Sequence, residues 1–231
     1  MILAERSYQP ELLDEDIIPF ADIRQNMQEL NFINTWLGGH AITIRAFSKL
    51  AGDKKQVSVC EIGCGGGDNL AAIAKWCTKK GIRLTVVGID IKEACIEYAE
   101  SRSIDFFNVQ WIVSDYRKAI LETKPDVVFS SLFCHHFTNE QLVYQLQWMK
   151  ENSLLGFFVN DLQRNLIAYY SIKLLTRIFS KSYLVKNDAP LSVARGFTKS
   201  ELLHISQQAK LNNITIHWKW AFRYLMMMKH G

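Results

Sequence analysis

The stretch VSVCEIGCGGGD, Val57 to Asp68, constrains the fold more than any other part of the chain. An apolar run leads directly into a turn with glycines at 63, 65 and 67, and an amphipathic segment follows. Glycine lets the backbone adopt positive φ and lets a ligand lie against it. A strand that enters such a turn and then a helix is typical of the ligand-binding unit of an open α/β sheet. The stretch therefore predicts a parallel sheet with a binding site at this turn.

The rest of the central region repeats this alternation of short apolar runs and longer amphipathic segments. The predicted strands are Val57–Ile62, Leu84–Ile89, Val109–Val113, Val127–Ser130 and Leu155–Asn160. The predicted helices between them are Asn69–Lys80, Lys92–Ser101 and Asn139–Glu151. Because parallel strands require crossover connections, these helices should cover both faces of the sheet.

The flanking segments differ from this core. Residues 1–51 have a helical pattern and predict an N-terminal cap, and residues 162–197 predict a helical insertion, or lid, after the fifth strand. The sequence TKSE, Thr198–Glu201, is a capping box that opens another helix. The last segment, ITIHWKWAFRYLMMMK, predicts an antiparallel hairpin at the sheet edge with its turn near residues 220–222. We therefore expect one domain over residues 1–231, Rossmann-like, with a core at 56–160 and a mostly parallel seven-stranded sheet.

Composition narrows the class of protein. Of the 231 residues 48% are hydrophobic and 22% are charged, which is typical of a globular protein. The net charge of +4 is a mild excess, whereas a nucleic-acid-binding protein usually has a concentrated basic face, so no nucleic acid partner is expected. The five cysteines form no C-x-x-C pair, so neither a disulfide framework nor a metal site is predicted. The first residues lack a continuous apolar run, and we expect a cytoplasmic protein.

Acidic residues around the glycine turn restrict the ligand. Asp68 takes the place of the last glycine of a dinucleotide-binding turn, where its carboxylate would repel a pyrophosphate. Glu61 precedes the turn and suits a ligand with positive charge, and Asp90 ends the second strand, where it can accept ribose hydroxyls. Asp115 and Tyr116 follow the third strand and suit the rim of an adenine pocket. An adenosine with a cationic substituent and no phosphate is S-adenosylmethionine (SAM).

The chain resembles the class I SAM-dependent methyltransferases over residues 56–160. The motifs that carry this resemblance are VCEIGCGGGD, VVGIDI, VSDY and PDVVFSSLFCHHF. INTWLGGH and NDLQRNLIAYYSIKLLTRIFS in the flanks are similar to small-molecule methyltransferases of the UbiE-like kind, found beside aromatic polyketide or phenolic-lipid enzymes. The resemblance implies SAM as cofactor and S-adenosylhomocysteine (SAH) as product. The cofactor-binding residues that it implies are Glu61, Gly63, Gly65, Asp90, Ile91, Asp115, Tyr116 and Ser130. The alternatives are a tight turn without ligand for the glycines and a plain surface turn for Asp115 and Tyr116.

Two histidines are the candidates for acid–base catalysis. His135 and His136 end the fourth strand in LFCHHF, where an acceptor would meet the methyl group. Methyl transfer from a sulfonium needs a base only when the acceptor holds its proton, and histidine can take the proton of a phenol near neutral pH. We favour His136 of the two. The alternative is a hydrogen-bonded connector that packs the turn.

Four further residues are candidates for binding the acceptor. Asp161 and Arg164 follow the fifth strand, at the edge where open α/β sites lie. Asp161 has the alternative role of capping the next helix. His40, after the pair Gly38-Gly39, is a candidate to reach over the cofactor, although the glycine pair itself favours an ordinary helix-ending turn. Tyr169 is a candidate for the hydrophobic roof over an aromatic acceptor.

The predicted lid helix, 162–181, carries Lys173, Arg177 and Lys181 at intervals of four residues among apolar side chains. Such a helix can rest on a membrane. The sequence favours the alternative, a lid that packs on the domain with its basic stripe in water.

Taken together, these features predict a SAM-dependent methyltransferase with a small apolar or phenolic acceptor and favour O-methylation. SSLFCHHF lacks the Asn/Asp-Pro-Pro-aromatic pattern of enzymes that methylate the amino groups of bases or glutamine. Two rival functions remain at this level: a SAM-binding scaffold without catalysis, and an NAD(P)-dependent oxidoreductase.

Overall fold

A computed structural model describes residues 3–15, 17–102 and 108–230. Its seven strands form one sheet. The strands are β1 (Gln56–Ile62), β2 (Arg83–Asp90), β3 (Val109–Val113), β4 (Val127–Ser131), β5 (Gly156–Leu162), β6 (Ile214–Lys219) and β7 (Arg223–Lys229). Their order is β3-β2-β1-β4-β5-β7-β6. The first five strands are parallel, and β7 runs antiparallel to both β5 and β6. This arrangement confirms the predicted Rossmann-like α/β fold.

Eight α-helices accompany the sheet among the described residues. They are α1 (Phe20–Trp36), α2 (Gly39–Ala51), α3 (Asp68–Lys80), α4 (Glu93–Arg102), α5 (Asn139–Glu151), α6 (Leu166–Phe179), α7 (Tyr183–Arg195) and α8 (Lys199–Gln208). Short 3₁₀ turns cover Leu12–Asp14 and Cys134–His136.

The central strands are buried on both faces, which explains their nearly unbroken apolar sequence. On one face Phe129 of β4 and Phe158 of β5 stack at 4.8 Å and pack with Phe47 of α2. On the other face Phe157 of β5 packs with Met149 of α5. The helix α2 is therefore part of the helical layer on the sheet, and α1 is the outer part of the predicted N-terminal cap.

The predicted C-terminal hairpin is present. β7 lies between β5 and β6, and β6 forms the outer edge of the sheet. Residues 226–228 are buried because β7 is an interior strand, which accounts for the run of three methionines. The hairpin tip at residues 220–222 lies at the same edge of the sheet as the end of β5, since Leu162 pairs with Arg223.

The lid differs from the single helix predicted over 162–181. β5 continues through Leu162, and α6 begins only at Leu166, where the Asn165 side chain accepts a hydrogen bond of 2.8 Å from the backbone N–H of Ile167. The chain then turns at Ser182 into α7, which the sequence analysis did not predict. Pro190 lies inside α7, and a proline in a helical pattern normally signals the end of a helix.

The capping box at Thr198 is confirmed. The Thr198 hydroxyl accepts from the backbone N–H of Glu201 at 3.3 Å, and the Glu201 carboxylate accepts from the backbone N–H of Thr198 at 2.7 Å. The box starts α8 as predicted.

Candidate active site

A cavity of about 700 Å³ opens at the carboxyl ends of β1, β2, β4 and β5. One end is formed by the turn after β1 and the end of β2. The other end is formed by the 3₁₀ turn that carries His135 and His136, and side chains of α1, α6 and the hairpin tip complete the wall. Ligand pockets in proteins typically measure about 300 to 1,000 Å³, so the cavity has room for a nucleoside cofactor together with a small acceptor.

The glycine turn is shaped by close packing. Gly63 has φ of 65°, and a Cβ there would lie 2.2 Å from the ring of Phe133. Gly67 has φ of 72°, and a Cβ there would lie 2.6 Å from the ring of Trp111. Any other residue would strain the backbone and collide with a ring at each position. The turn is thus held open toward the cavity by two aromatic side chains that need glycine beneath them.

Glu61 is the most strongly perturbed acid at this end of the cavity. Its Oε1 accepts from the Asn69 side chain at 3.0 Å, whereas Oε2 is buried and has no hydrogen-bond partner among the described residues. Burial, together with the nearby charges of Asp68 and Asp90, raises the pKa of Glu61 well above its usual range. A buried carboxylate oxygen without a partner fits a ligand that brings a positive charge.

Asp90 reaches into the same end of the cavity from β2. Its Oδ2 accepts from the backbone N–H of Gly65 at 2.8 Å, and its Oδ1 accepts from the backbone N–H of Lys92 at 2.9 Å. Burial raises the pKa of Asp90, although these two hydrogen bonds act in the opposite direction. The carboxylate therefore ties the glycine turn to the end of β2 and keeps further acceptor capacity for a ligand hydroxyl.

Asp68 has an ion-pair partner that the sequence analysis did not predict. Asp68 lies in the first turn of α3, as expected, and it lines the cavity. Its carboxylate, however, accepts from the Arg102 guanidinium at 2.5 Å. Because this ion pair offsets its charge, the acidic character of the turn comes mainly from Glu61 and Asp90.

The residues predicted at the adenine, Asp115 and Tyr116, line the cavity as well, and so does Ile91, which was predicted as a further cofactor-binding residue. Tyr116 is buried and packs edge-on against Trp148 and Phe137. The Asp115 carboxylate is held by the guanidinium of Arg117, which lowers the pKa of Asp115.

Ser130 lies beneath the cavity wall and not on it. Its hydroxyl is fully buried and lies 3.6 Å from the thiol of Cys134, which donates to it. Among the described residues, the part of the wall that follows β4 is formed by Ser131, Leu132 and Phe133. The role predicted for Ser130 in cofactor binding therefore stays a prediction, and the residues directly after it form the wall.

At the opposite end, His135 is buried between two carboxylates. Its Nδ1 lies 2.8 Å from Oδ1 of Asp161, and its Nε2 lies 3.5 Å from Oε1 of Glu11. Burial alone would lower the pKa of His135, but the charges of Asp161 and Glu11 and the hydrogen bonds to them outweigh it and raise the pKa to about 9. Near neutral pH this imidazole therefore holds its proton.

His136 has a more accessible position. Its Nδ1 lies 3.2 Å from Oδ1 of Asp14, and its Nε2 lies 3.7 Å from Oε2 of Glu11. Both histidines line the cavity, and the rings lie 4.5 Å apart. One nitrogen of each ring is oriented by an aspartate, and the other faces Glu11.

Two buried arginines fix the backbone of the histidine turn. Arg195 donates to the carbonyl of His135 at 3.2 Å and to that of His136 at 2.9 Å. Arg6 donates to the carbonyl of His135 at 3.2 Å and to that of Phe137 at 2.8 Å. The turn is thus anchored by the N-terminal segment and by the end of α7, both distant from it in sequence.

Asp161 and Arg164 are engaged inside the protein. Besides holding His135, the Asp161 carboxylate accepts from the backbone N–H of Phe133 at 3.2 Å. Asp161 does not cap α6, because Asn165 does. All three guanidinium nitrogens of Arg164 are used, on backbone carbonyls and on the carboxylate of Glu201. Neither residue is part of the cavity lining found among the described residues, so the proposal that they bind the acceptor rests on the sequence alone.

His40 and Tyr169 also lie outside that lining in the described part of the chain. Nδ1 of His40 lies 2.9 Å from Oδ1 of Asn69, and the side-chain Nδ2 of Asn69 donates to Oε1 of Glu61. His40 is therefore linked to Glu61 through Asn69. Tyr169 packs against Tyr170, and the α6 side chains that do line the cavity belong to Ala168, Ser171, Ile172 and Leu175.

The sequence analysis missed several residues of the site. Glu11 and Asp14 lie in a segment without any motif, and only the fold brings them to the histidines. Asn69 directly follows the glycine turn, and that position was a usable signal. Arg223 lines the cavity and is buried, with Nε and Nη1 unpartnered among the described residues; burial lowers its pKa to about 10.

Comparison with known proteins identifies the fold and the family model that fits the chain. A family model described as a methyltransferase domain matches residues 53–217, more than half of the chain. No curated protein matches the sequence.

Several solved structures superpose on the chain. The plantazolicin methyltransferase BpumL in complex with SAH has a TM-score of 0.66 and 18% identity, with coverage of 92% of this chain and 89% of that one. Human N-acetylserotonin methyltransferase in complex with SAM has a TM-score of 0.65 and 14% identity, with coverage of 92% and 57%. Magnesium protoporphyrin IX methyltransferase from Synechocystis PCC 6803 with bound SAH has a TM-score of 0.51 and 14% identity, with coverage of 94% and 90%. At these identities the likeness establishes the fold.

Proposed function

The chain belongs to the methyltransferase domain family, and on that premise we propose that it transfers the methyl group of SAM to an oxygen atom of a small, apolar or phenolic acceptor. The observation that carries the proposal is a single cavity that joins the glycine turn and its acids to the histidine pair. Bound SAM supplies a methyl group already activated by the sulfonium. The protein has to align the acceptor oxygen with it and keep water out.

The cofactor end fits SAM by charge. The unpartnered Oε2 of Glu61 offers a negative group to the cationic methionine part, and Asp90 is placed to accept hydrogen bonds from the ribose hydroxyls. In their ionised forms these two carboxylates, which line the cavity beside the glycine turn, would repel a diphosphate, which disfavours an NAD(P)-dependent oxidoreductase. Ile91, Asp115 and Tyr116 would then surround the adenine.

The geometry of the acceptor end supports different roles for the two histidines. Asp14 holds Nδ1 of His136, and Nε2, which lies 3.7 Å from Oε2 of Glu11, is the ring atom that takes the acceptor proton in this proposal. His135 keeps its own proton near neutral pH and cannot serve as that base. Its positive charge beside the cavity would instead favour an acceptor oxygen that becomes negative. In this proposal His136 is the base and His135 stabilises the phenolate.

The cavity walls support an apolar acceptor. The apolar side chains in the lining come from α1 and the residue after it, from α6 and from the turn that carries the histidines: Leu30, Ile33, Leu37, Ile172, Leu175, Phe133 and Phe137. Such walls bind aromatic or alkyl-bearing molecules by burial of apolar surface and exclude water from the reaction. The plantazolicin, N-acetylserotonin and porphyrin acceptors in the names of the related structures differ widely, so the shared fold leaves the acceptor open.

The test is a transfer assay with labelled SAM and a series of phenols whose own pKa values range from weakly to strongly acidic. We expect His136→Asn to lower kcat by about 10²- to 10⁴-fold for weakly acidic phenols. The loss should shrink for strongly acidic phenols and at higher pH, because these acceptors are already deprotonated. His204→Asn, an exposed histidine on α8, is the matched control and should behave as the unmodified protein.

Two outcomes would contradict the proposal. If His136→Asn loses the same factor for all phenols at all pH values, its role is structural and it is not the base. If SAM binds tightly but no phenol in the series accepts methyl, the SAM-binding scaffold becomes the better interpretation.

A further inference from the structure

Helix α6 exposes an apolar face that the fold leaves uncovered. Ile167, Tyr170, Leu174 and Ile178 follow one another at helical spacing, and between 55% and 66% of each side chain is exposed. Phe179 at the end of the helix is 76% exposed. The buried side of α6 is narrow and centres on Ala168 and Thr176. A surface helix normally turns its apolar stripe to the core, so α6 is oriented the other way.

The charges on α6 are all of one sign. Lys173 and Arg177 are four residues apart and share one flank of the apolar face, and both are exposed. Residues 166–181 contain no aspartate or glutamate. Glu29 of α1 lies at the C-terminal end of α6, where its carboxylate accepts hydrogen bonds from the hydroxyl of Ser180 and from the backbone N–H groups of residues 181 and 182. In the part of the chain that the structure describes, neither Lys173 nor Arg177 forms an ion pair, so the helix offers an apolar face with a basic edge.

The same face continues into the mouth of the cavity. Leu175 lines the cavity and is 45% exposed, and Trp220 at the hairpin tip lines it and is 66% exposed. A surface that covered α6 would also cover the entrance.

We propose that α6, with the neighbouring tip residue Trp220, docks on an anionic lipid membrane and admits a lipid-soluble acceptor to the cavity from the bilayer surface. An apolar face flanked by basic residues is the pattern of a helix that lies in the membrane interface. No described helix has the length and apolar character to cross a bilayer, so the contact is peripheral. The sequence favours a lid packed on the domain, but the structure leaves the apolar face in solvent.

Charge decides between a membrane and a second copy of the chain. A symmetric dimer through α6 brings Lys173 and Arg177 toward their own copies, which repel each other. Anionic lipid headgroups attract both residues, by roughly 1 kcal/mol each near the surface. An anionic membrane would therefore both bury the apolar face and attract the two basic residues.

The proposal goes beyond methyl transfer, and it is tested by a membrane-binding assay that does not depend on methyltransferase activity. The protein is floated with vesicles of phosphatidylcholine alone and of phosphatidylcholine with phosphatidylglycerol. We expect much stronger binding to the anionic vesicles, which added salt weakens. The double variant Lys173→Gln and Arg177→Gln should lose about fivefold in partition for each residue, roughly 25-fold together, and the control Lys79→Gln and Lys80→Gln should lose little. Both control lysines are exposed in the last turn of α3. The first turn of that helix lies at the cavity, so the lysines are at the end of the helix that is away from it.

A second variant tests the apolar contribution. Leu174→Ser with Ile178→Ser replaces two exposed side chains, so the fold should persist, as judged by circular dichroism. It should weaken binding to both kinds of vesicle. Equal binding of the unmodified protein to neutral and anionic vesicles, or no binding to either, overturns the proposal. So does a dimer in light scattering that this variant converts to a monomer, because the face would then be an interface between copies.

Discussion

The two ends of the cavity are built in different ways. The end proposed for the cofactor comes from residues 61–69 and 90–91, two stretches that each begin at the end of a strand, and its acids are held mainly by backbone N–H groups and by Asn69. The histidine end joins the N-terminal segment, the turn after β4, the end of β5 and the end of α7 through ion pairs and buried arginines.

This difference predicts whether substitutions at each end mainly change ligand binding or mainly change the stability of the fold. A carboxylate held by backbone groups of its own turn can be changed with mainly local effects, so substitutions there should alter binding more than stability. A buried imidazolium between carboxylates from distant segments is part of the tertiary structure. Substitutions there should alter stability first.

The largest expected effect tests the histidine end. Asp161→Asn removes the charge that faces His135 and leaves a buried cation with Glu11 alone. Breaking a buried ion pair by removing one partner typically costs about 3 to 5 kcal/mol of unfolding free energy. Urea unfolding followed by circular dichroism measures this loss. Asp53→Asn, an exposed residue before β1, is the control and should change the free energy by less than about 0.5 kcal/mol. A loss below about 1 kcal/mol for Asp161→Asn would contradict the assignment of a tightly coupled pair.

A second, smaller effect tests the cofactor end. Asp90→Asn should weaken SAM binding about tenfold to a hundredfold, because a hydrogen bond to a charged group contributes about 1.5 to 3 kcal/mol. Isothermal titration calorimetry with SAM and with SAH measures it, and both ligands should respond because both carry the ribose. Asp115→Asn is the comparison variant and should lose less, since its carboxylate is already paired with Arg117. Equal losses for the two variants would mean that Asp90 does not contact the ribose.

The smallest expected effect is a pH dependence of SAM binding that arises from Glu61. The pKa of Glu61 is raised, so the free protein holds a proton on Glu61 to a higher pH than usual, whereas a cationic ligand favours the ionised form. SAM affinity should therefore rise with pH, by at most about tenfold per pH unit, until the pH exceeds the raised pKa.

Calorimetry in two buffers of different ionisation enthalpy should detect proton release when SAM binds below that pKa. Glu61→Gln should abolish the release. The same proton release in this variant would show that another group titrates and that Glu61 does not face the cation.

Much of the fold could be predicted because its signals are local. The five parallel strands and the glycine turn follow from apolar runs and glycines within a few residues of each other, and the capping box at Thr198 needs only four residues. The lid was harder to predict, because α7 includes Pro190 and β5 extends to Leu162 into what looked like the lid. Local propensity has no information about the strand partner that keeps β5 extended.

The sequence by itself determined the sheet, the acidic glycine turn and the placement of two histidines shortly after the fourth strand, where the structure has a 3₁₀ turn and not the strand end. Only the tertiary structure decided what those histidines are: His135 is an imidazolium because Glu11 and Asp161 converge on it, and His136 is oriented by Asp14. The physical reason is that the charge state of a buried group depends on neighbours in space, and these neighbours come from segments that no local pattern connects.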